Sequence, residues 1–178
     1  MFRLLFLLIF CFSCKEVDNK EKFSIHDFPG NELTGSPLII EISKNNKPSI
    51  KIQSDTLYKY NDGNILMIGG VYADLFDEQG IKTSEMHSDS ATIYNNSDSV
   101  KATGDILVKS VKGYKLLTSE ILLYNESKLV HSKKNVLFTS SSKDTLYGTG
   151  FWSNFDMTNS KVQNPTGVIN NKWKTLIN

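Results

Sequence analysis

The amino-acid sequence predicts an all-β protein built from a stack of antiparallel hairpins. Polar turn clusters recur along the chain at intervals of mostly about 12–17 residues, which is typical of successive antiparallel strands. Between the turns, apolar residues alternate with a period of two, as in Ile50/Ile52 and Ile106/Val108, and helix signals are scarce. The turn clusters are Asn45-Asn46, Asn61 to Asn64, Asp77 to Gly80, Asn95 to Asp98, Lys112-Gly113 and Ser140 to Ser142.

Composition and charge argue against nucleic-acid binding. The chain has 178 residues and a formal net charge of +1, and Arg3 is its only arginine. Lysines and acidic residues are interspersed, whereas a nucleic-acid surface needs concentrated basic residues, usually with arginine. The length suits one domain after a targeting segment, and a hydrophobic fraction of 39% is sufficient for a core.

Residues 1–13 have the pattern of a short lipoprotein signal peptide. Arg3 supplies the positive start, and the apolar run from Leu4 to Ser13 is shorter than the ~20 residues that span a bilayer. A small residue precedes Cys14, as in a lipobox, which predicts a lipid anchor on Cys14. Cys11 is the poorer candidate, because a bulky aromatic residue precedes it. Cleavage without lipidation and an uncleaved short anchor are the alternatives.

The remainder divides into a tether, one domain and a tail. Residues 14–22 are charged and lack apolar periodicity, which predicts a lipid-anchored tether, residues 23–170 form the β-domain, and residues 171–178 are a C-terminal tail. Both cysteines lie within the first 14 residues. The exported part can therefore form no disulfide, thiol nucleophile or cysteine-ligated zinc site.

An internal repeat supports the hairpin stack. The segment Ser88 to Asn95 aligns with Thr118 to Asn125 at an offset of 30, and Gly104 to Val108 aligns with Lys134 to Phe138 at the same offset. A weaker copy begins at Ser54. Each copy has the pattern of a strand, a polar turn and a second strand, which predicts stacked hairpins with open strand edges at both ends.

Four central segments follow one another in a characteristic order: Ala91 to Tyr94, Ala102 to Val108, Gly113 to Tyr124 and Leu146 to Phe151. The order of strand, glycine-containing turn, Thr118-x-x-Ile121-x-x-Tyr124 and Gly148-x-Gly150-Phe151 resembles the LptC family and, more distantly, the LptA/OstA bridge domains. The resemblance extends from residue 48 to residue 152. Better-known members are held by an uncleaved transmembrane helix, whereas this chain carries a lipobox-like signal.

The resemblance implies an open β-jellyroll, folded like a taco, with acyl chains between its sheets. It implies a non-enzymatic carrier that receives lipopolysaccharide from inner-membrane ABC transporter subunits and passes it to an LptA-like bridge protein by β-augmentation. The chain would then be a periplasmic, membrane-anchored lipoprotein, with the inner membrane favoured over the outer. No cofactor is implied.

Two sets of candidate functional residues follow. The inward set would either line a lipid-binding groove or pack as ordinary core, and the sequence leaves both possibilities open. The second set would be an edge strand that meets the bridge protein, while the opposite end near Leu38 to Ile42 would face the transporter. The groove set is Ala91, Ile93, Ala102, Ile106, Val108, Ile121, Leu123, Val136 and Phe138, and the edge set is Thr145, Leu146, Tyr147, Gly148, Thr149, Gly150 and Phe151.

Catalytic and metal-binding patterns are weak. The three histidines, His26, His87 and His131, are scattered, and the sequence contains no His-Glu-x-x-His motif and no Gly-x-Ser-x-Gly motif. We therefore predict no catalytic residues and no metal ligands. Two other functions stay open: a glycan-binding or assembly adaptor on an envelope lipoprotein, and a hydrolase on a β-scaffold.

Overall fold

Nine β-strands form one antiparallel sheet in which every strand pairs with its neighbours in sequence. The computed structural model describes residues 30–166, which contain no helix, so the predicted all-β stack of antiparallel hairpins is confirmed. The strands are β1 (Gly30–Lys44), β2 (Lys47–Tyr60), β3 (Ile65–Phe76), β4 (Lys82–Ile93), β5 (Ser99–Ser110), β6 (Lys115–Tyr124), β7 (Leu129–Thr139), β8 (Thr145–Asn154) and β9 (Lys161–Val162).

The turns form where the sequence supplies side chains that stabilise a tight reversal. Asn45 and Asn46 have φ angles of 52° and 59° and connect β1 to β2 as a two-residue hairpin loop. Between β3 and β4, the carboxylate of Asp77 accepts hydrogen bonds from the backbone N–H groups of Gln79 and Ile81, each 2.9 Å long. The predicted turn clusters thus correspond to connections between strands.

The internal repeat corresponds to successive hairpins. Its copies lie on β2, β4 and β6, and each copy begins near the middle of its strand and ends in the following turn. The three strands run in the same direction and alternate with β3, β5 and β7. The repeat therefore describes half a strand, its turn and half of the next strand.

A line of register shifts crosses the middle of the sheet. In β4 the shift changes which residues face the core, so that Met86 and Ala91, which are five positions apart, are both fully buried. Bulges bend a strand and increase its twist, so a line of them bends the whole sheet. The shifts lie between Thr34/Leu38, Gln53/Thr56, Ile68/Val71, His87/Ser90, Thr103/Ile106, Thr118/Leu122 and Ser132/Asn135.

The bend divides the sheet into two layers that pack face to face. Each of the strands β2 to β8 contributes one half to each layer. Layer A contains the strand halves that adjoin the turns at 45–46, 77–81, 111–114 and 140–144. Layer B contains the strand halves that adjoin the turns at 61–64, 94–98, 125–128 and 155–160. Ser49 in layer A donates a hydrogen bond to the side chain of Asn125 at the tip of layer B. In a flat sheet these residues would lie more than about 30 Å apart, so the contact requires the bend. We call the line where the tips of the layers meet the seam.

The hydrophobic core fills the space between the layers, and both inner faces contribute to it. The ring of Phe138 lies 5.3 Å from the ring of Phe151, and Tyr114 stacks on Phe138 at 5.9 Å. The largest fully buried side chains are Phe138, Phe151, Phe155, Ile50, Ile52, Met67, Leu75, Met86, Ile106, Leu116, Ile121 and Leu123.

Some of the predictions concern residues outside the described range of 30–166. These are the signal peptide at 1–13, the anchor at Cys14, the tether at 14–22 and the tail at 171–178. The limits 23–170 of the β-domain also stay predictions. Within residues 30–166, no helix is long and apolar enough to cross a membrane.

Candidate functional site

All nine residues of the predicted groove set lie in or against the core between the layers. Eight of them are at most 3% exposed, and only Ile93 is partly exposed at the margin of the core. In this closed arrangement the side chains themselves fill the interior. Any lipid that enters between the layers would have to displace these side chains, so the place where the layers can part decides whether lipid can enter.

An apolar opening lies where the edge strand β1 meets layer B. Ile42 of β1 lines a cavity of about 440 Å³ together with Ile65 of β3 and Ile93 of β4, and all three side chains are only partly buried. Polar residues of the β4–β5 turn, including Asn95 and Asp98, form the other side of the cavity. We call this opening the mouth. It combines an apolar floor with a polar rim, as binding of an amphipathic molecule would require.

Beside the mouth, a buried polar network fastens the seam. Ser49 donates to the side-chain oxygen of Asn125, and the ammonium of Lys128 donates to the hydroxyl oxygen of Ser49. The side-chain amide of Asn125 donates to the carboxylate of Asp98 at 2.8 Å, and its backbone N–H donates to the Asp98 carbonyl at 3.0 Å. Ser49 thus links layer A to two residues of layer B.

Lys128 is an unusual member of this network because it is only 9% exposed. Its ammonium lies 5.7 Å from the ring centroid of Phe155, and no carboxylate within residues 30–166 forms an ion pair with it. Burial lowers the pKa of this lysine, and the nearby charge of Lys44 lowers it further. No local signal in the sequence indicates this site, since a lysine in a polar turn is usually solvated.

Farther along the seam, layer A contacts the turn that follows β8. The hydroxyl of Ser84 donates to the Phe155 carbonyl at 2.5 Å, and that of Ser110 donates to the Asp156 carbonyl at 2.7 Å. Lys112 forms an ion pair of 2.7 Å with the Asp156 carboxylate. The seam is therefore closed by polar contacts along its length, while the core behind it is apolar.

The predicted partner edge strand, Thr145 to Phe151, lies in β8, but β8 is not the outermost strand of the described sheet. Residues 161–166 run along its outer side. The Thr149 N–H donates to the Gln163 carbonyl at 3.1 Å, the Gln163 N–H donates to the Gly150 carbonyl at 2.9 Å, and the Thr166 N–H donates to the Tyr147 carbonyl at 2.8 Å. A partner strand would have to pair beyond this segment or displace it, and the role of β8 in partner binding stays a prediction.

The opposite edge is open within the described residues. β1 is the first strand of the sheet and pairs on one side only, with β2. Its side chains Leu38, Ile40 and Ile42 pack partly against the core, whereas Leu33 and Ile39 are about half exposed. Among residues 30–166, no strand pairs with the outer side of this long edge, which includes the predicted transporter-facing segment Leu38 to Ile42.

The outer face of layer A carries an apolar row that sequence reasoning missed. Leu107 pairs with Leu117, Leu117 with Leu137, and Leu137 with Tyr147, so the four side chains lie next to one another across β5 to β8. Leu117 and Tyr147 are 45% and 53% exposed. Each of these residues alternates with the core residues of its own strand, which is the signal that could have placed it on the outer face.

His87 and His131, the two histidines within residues 30–166, have structural partners, and so has the carboxylate of Glu120. His87 contacts the ring of Tyr72 edge-on at 4.8 Å, and His131 stacks on Trp152 at 3.8 Å. Burial lowers the pKa of His131, and the nearby charge of Lys133 lowers it further, so both favour the neutral imidazole. Glu120 pairs with Lys101 at 2.9 Å. In the same part of the chain, no group of three or more potential ligands could hold a metal ion.

Comparison with known proteins identifies the family. A family model described as lipopolysaccharide-assembly, LptC-related, matches residues 38–165. The chain belongs to the LptC family. Members of this family are components of lipopolysaccharide transport in the bacterial envelope, and the family is not known as an enzyme family. No curated protein sequence matches the chain significantly.

The match to the LptC family begins in β1 and ends just after β9, so it covers the core, the mouth and the seam. The sequence resemblance to this family, which was based on the segment from residue 48 to residue 152, is confirmed and extended at both ends.

Proposed function

We propose that this domain is a non-enzymatic periplasmic carrier of lipopolysaccharide that binds acyl chains between its two layers. Lipopolysaccharide would arrive from inner-membrane ABC transporter subunits and leave to an LptA-like bridge protein. The observation that carries this proposal is the mouth, where Ile42, Ile65 and Ile93 form an apolar surface that continues into the core. Membership of the LptC family supplies the class of ligand.

The polarity of the core and of the rim of the mouth suits an amphipathic ligand. The core between the layers is a continuous cluster of hydrophobic side chains, with buried serines and other polar residues beside it, and the rim of the mouth contains asparagine, serine and aspartate. Acyl chains gain about 0.8 kcal/mol for each methylene removed from water, whereas the sugars would stay in solvent beyond the rim. Such a division requires no arginine cluster for specific recognition of the sugar.

The two sheet edges suggest an orientation for transfer. The open edge of β1 follows the N-terminal tether and would face the transporter, and the β8–β9 side would meet the bridge protein by β-augmentation. A lipid on Cys14 would hold the domain at the membrane, with the inner membrane as the favoured location. These assignments belong to the proposal.

Photo-crosslinking in cells with an active transporter would test the carrier role. A photoreactive residue in place of Ile93, at the mouth, should capture lipopolysaccharide. The matched control is the adjacent residue Thr92, which points to the outer face, and Lys109 on the outer face of layer A is a second control. Ile106 and Leu123 lie deeper and should capture less than Ile93, because they are fully buried in the closed state.

Two results would contradict the proposal. Equal capture at Ile93 and Thr92 would rule out an interior groove. Absence of capture at every position, together with binding of soluble glycans by the purified protein, would support the alternative of a glycan-binding or assembly adaptor.

A further inference from the structure

One polar group of the seam, the ammonium of Lys128, is buried without an ion-pair partner among residues 30–166. A buried charge loses hydration, and this loss is usually balanced by an opposite charge. Lys101 illustrates the balanced case, since it forms an ion pair of 2.9 Å with Glu120 and its pKa is raised mainly by that hydrogen bond. Lys128 instead donates to a serine hydroxyl and lies over the ring of Phe155, and the carboxylates of Asp98, Glu78 and Asp77 act on it only from beyond ion-pair distance.

Opening of the seam would return this ammonium to water. The hydroxyl of Ser49 and the side chain of Asn125 would also be hydrated, so hydrogen bonds to water would replace the hydrogen bonds that break on opening. Separation at this point therefore costs less than separation of an apolar interface of the same size. The network lies beside the mouth, because Asp98 belongs both to the network and to the rim of the mouth.

We propose that Ser49, Asn125 and Lys128 form a clasp that holds the two layers closed and separates when lipid enters through the mouth. The lipid part of this proposal rests on the proposed function, whereas the opening of the clasp is a property of the protein alone. The clasp joins residues 76 and 79 positions apart, so its separation uncouples the layers without breaking any strand pairing.

The first experiment measures opening without ligand. The full-length protein is placed in phosphatidylcholine vesicles that contain no lipopolysaccharide, and amide hydrogen exchange is followed at Asn125 and Phe155. These amides donate to the carbonyls of Asp98 and Lys128 within layer B, and Asn125 and Phe155 are only 5% and 2% exposed while the seam is closed, so their exchange reports how often the seam opens to water. Lys128→Met should slow their exchange about tenfold, because an apolar side chain of similar length removes the buried charge. Asn125→Ala should accelerate it.

One further variant is a control, and another tests the clasp from the side of layer A. Lys101→Met removes a lysine from the outer face of layer B and should leave exchange at Asn125 and Phe155 unchanged. Ser49→Ala keeps the backbone of layer A but removes the shared hydroxyl, and should accelerate exchange as Asn125→Ala does. Exchange in the middle of β5 shows whether each variant is folded. If the amides of Asn125 and Phe155 exchange in both Lys128→Met and Ser49→Ala as fast as in the unaltered protein, the clasp does not hold the layers together.

The second experiment combines the variants with the crosslinker at Ile93. Lys128→Met should reduce capture of lipopolysaccharide and Ser49→Ala should increase it, relative to the otherwise unaltered protein. Capture that is normal in every variant despite altered exchange would show that lipid entry does not need the clasp to open. No capture even without a clasp substitution would instead remove the proposed carrier function, while the exchange result would still stand.

Discussion

The carboxylate of Asp89 in β4 occupies the space beside Gly104 in β5 that a side chain at position 104 would need. A β-carbon built on Gly104 would lie 2.5 Å from the β-carbon of Asp89 and closer still to its carboxylate. The carboxylate also accepts a hydrogen bond of 3.1 Å from the N–H of Asp105. Both residues lie at the line of register shifts, so this pair helps to set the bend between the layers.

Gly104→Ala should therefore destabilise the domain more than Gly70→Ala. Both glycines have positive φ, 98° and 77°, but a β-carbon on Gly70 would meet nothing within 4 Å. The alanine at 70 should cost about 1–2 kcal/mol from backbone strain alone, and the alanine at 104 at least about 1 kcal/mol more. Urea unfolding measures both. Equal losses would mean that Asp89 moves aside freely, and Asp89→Gly should restore part of the stability of Gly104→Ala.

Asp156 should make the seam sensitive to acid. Burial alone would raise the pKa of its carboxyl, but the hydrogen bonds from Lys112 and Thr158 outweigh burial and lower it. A lowered folded-state pKa stabilises the fold at higher pH, and this stabilisation is lost as the pH falls below about 4. Asp156→Asn should lower stability by about 1 kcal/mol at neutral pH and flatten the decline in melting temperature between about pH 5 and pH 3. A decline as steep as in the unaltered protein would exclude this role.

The lipid anchor can be located by metabolic labelling. A palmitate analogue should tag the protein, and Cys14→Ala should abolish the tag, because diacylation requires the thiol of the lipobox cysteine. Cys11→Ala is the matched control and should keep the tag. Label that survives in Cys14→Ala but disappears in Cys11→Ala would move the anchor to Cys11.

Proline substitutions test the junction with the bridge protein. Thr149→Pro removes the N–H that donates to Gln163 and should loosen residues 161–166 from β8. Tyr147→Pro acts at the neighbouring position on the same side of the strand. Both variants should lose most of their capture of the bridge protein in a pull-down. Their melting curves, followed by circular dichroism, should still show a folded domain. Normal binding by both folded variants would place the junction elsewhere.

The hairpins could be predicted because their signals are local. Turn clusters such as Asn45-Asn46 and the alternation of Ile106 and Val108 depend on residues that are close in sequence. The bend was implied only by the family resemblance, although it leaves a trace in the sequence: buried residues five positions apart, such as Met86 and Ala91, break the period of two within one strand. A bulge needs only one extra residue, and that signal is easily read as an ordinary irregularity.

The seam could not be predicted in the same way. The buried ammonium of Lys128 donates to Ser49, 79 positions earlier, and nothing near Lys128 in the sequence indicates that contact. The segment 161–166, which pairs with the outer side of β8, was missed for another reason. β9 has only two residues, which is too short for a periodic pattern, so Thr145 to Phe151 looked like the last strand.

The order of the strands also has a consequence for how the domain assembles. Strand order in the sheet equals sequence order, so each pair of neighbouring strands is joined by a short loop. Closing a short loop costs little conformational entropy. The contacts across the seam join residues 44 to 79 positions apart and cannot form until several hairpins exist. We therefore expect the sheet to form from successive hairpins and the seam to close last. Variants of Ser49 or Lys128 should then change the rate of unfolding and leave the rate of folding almost unaltered.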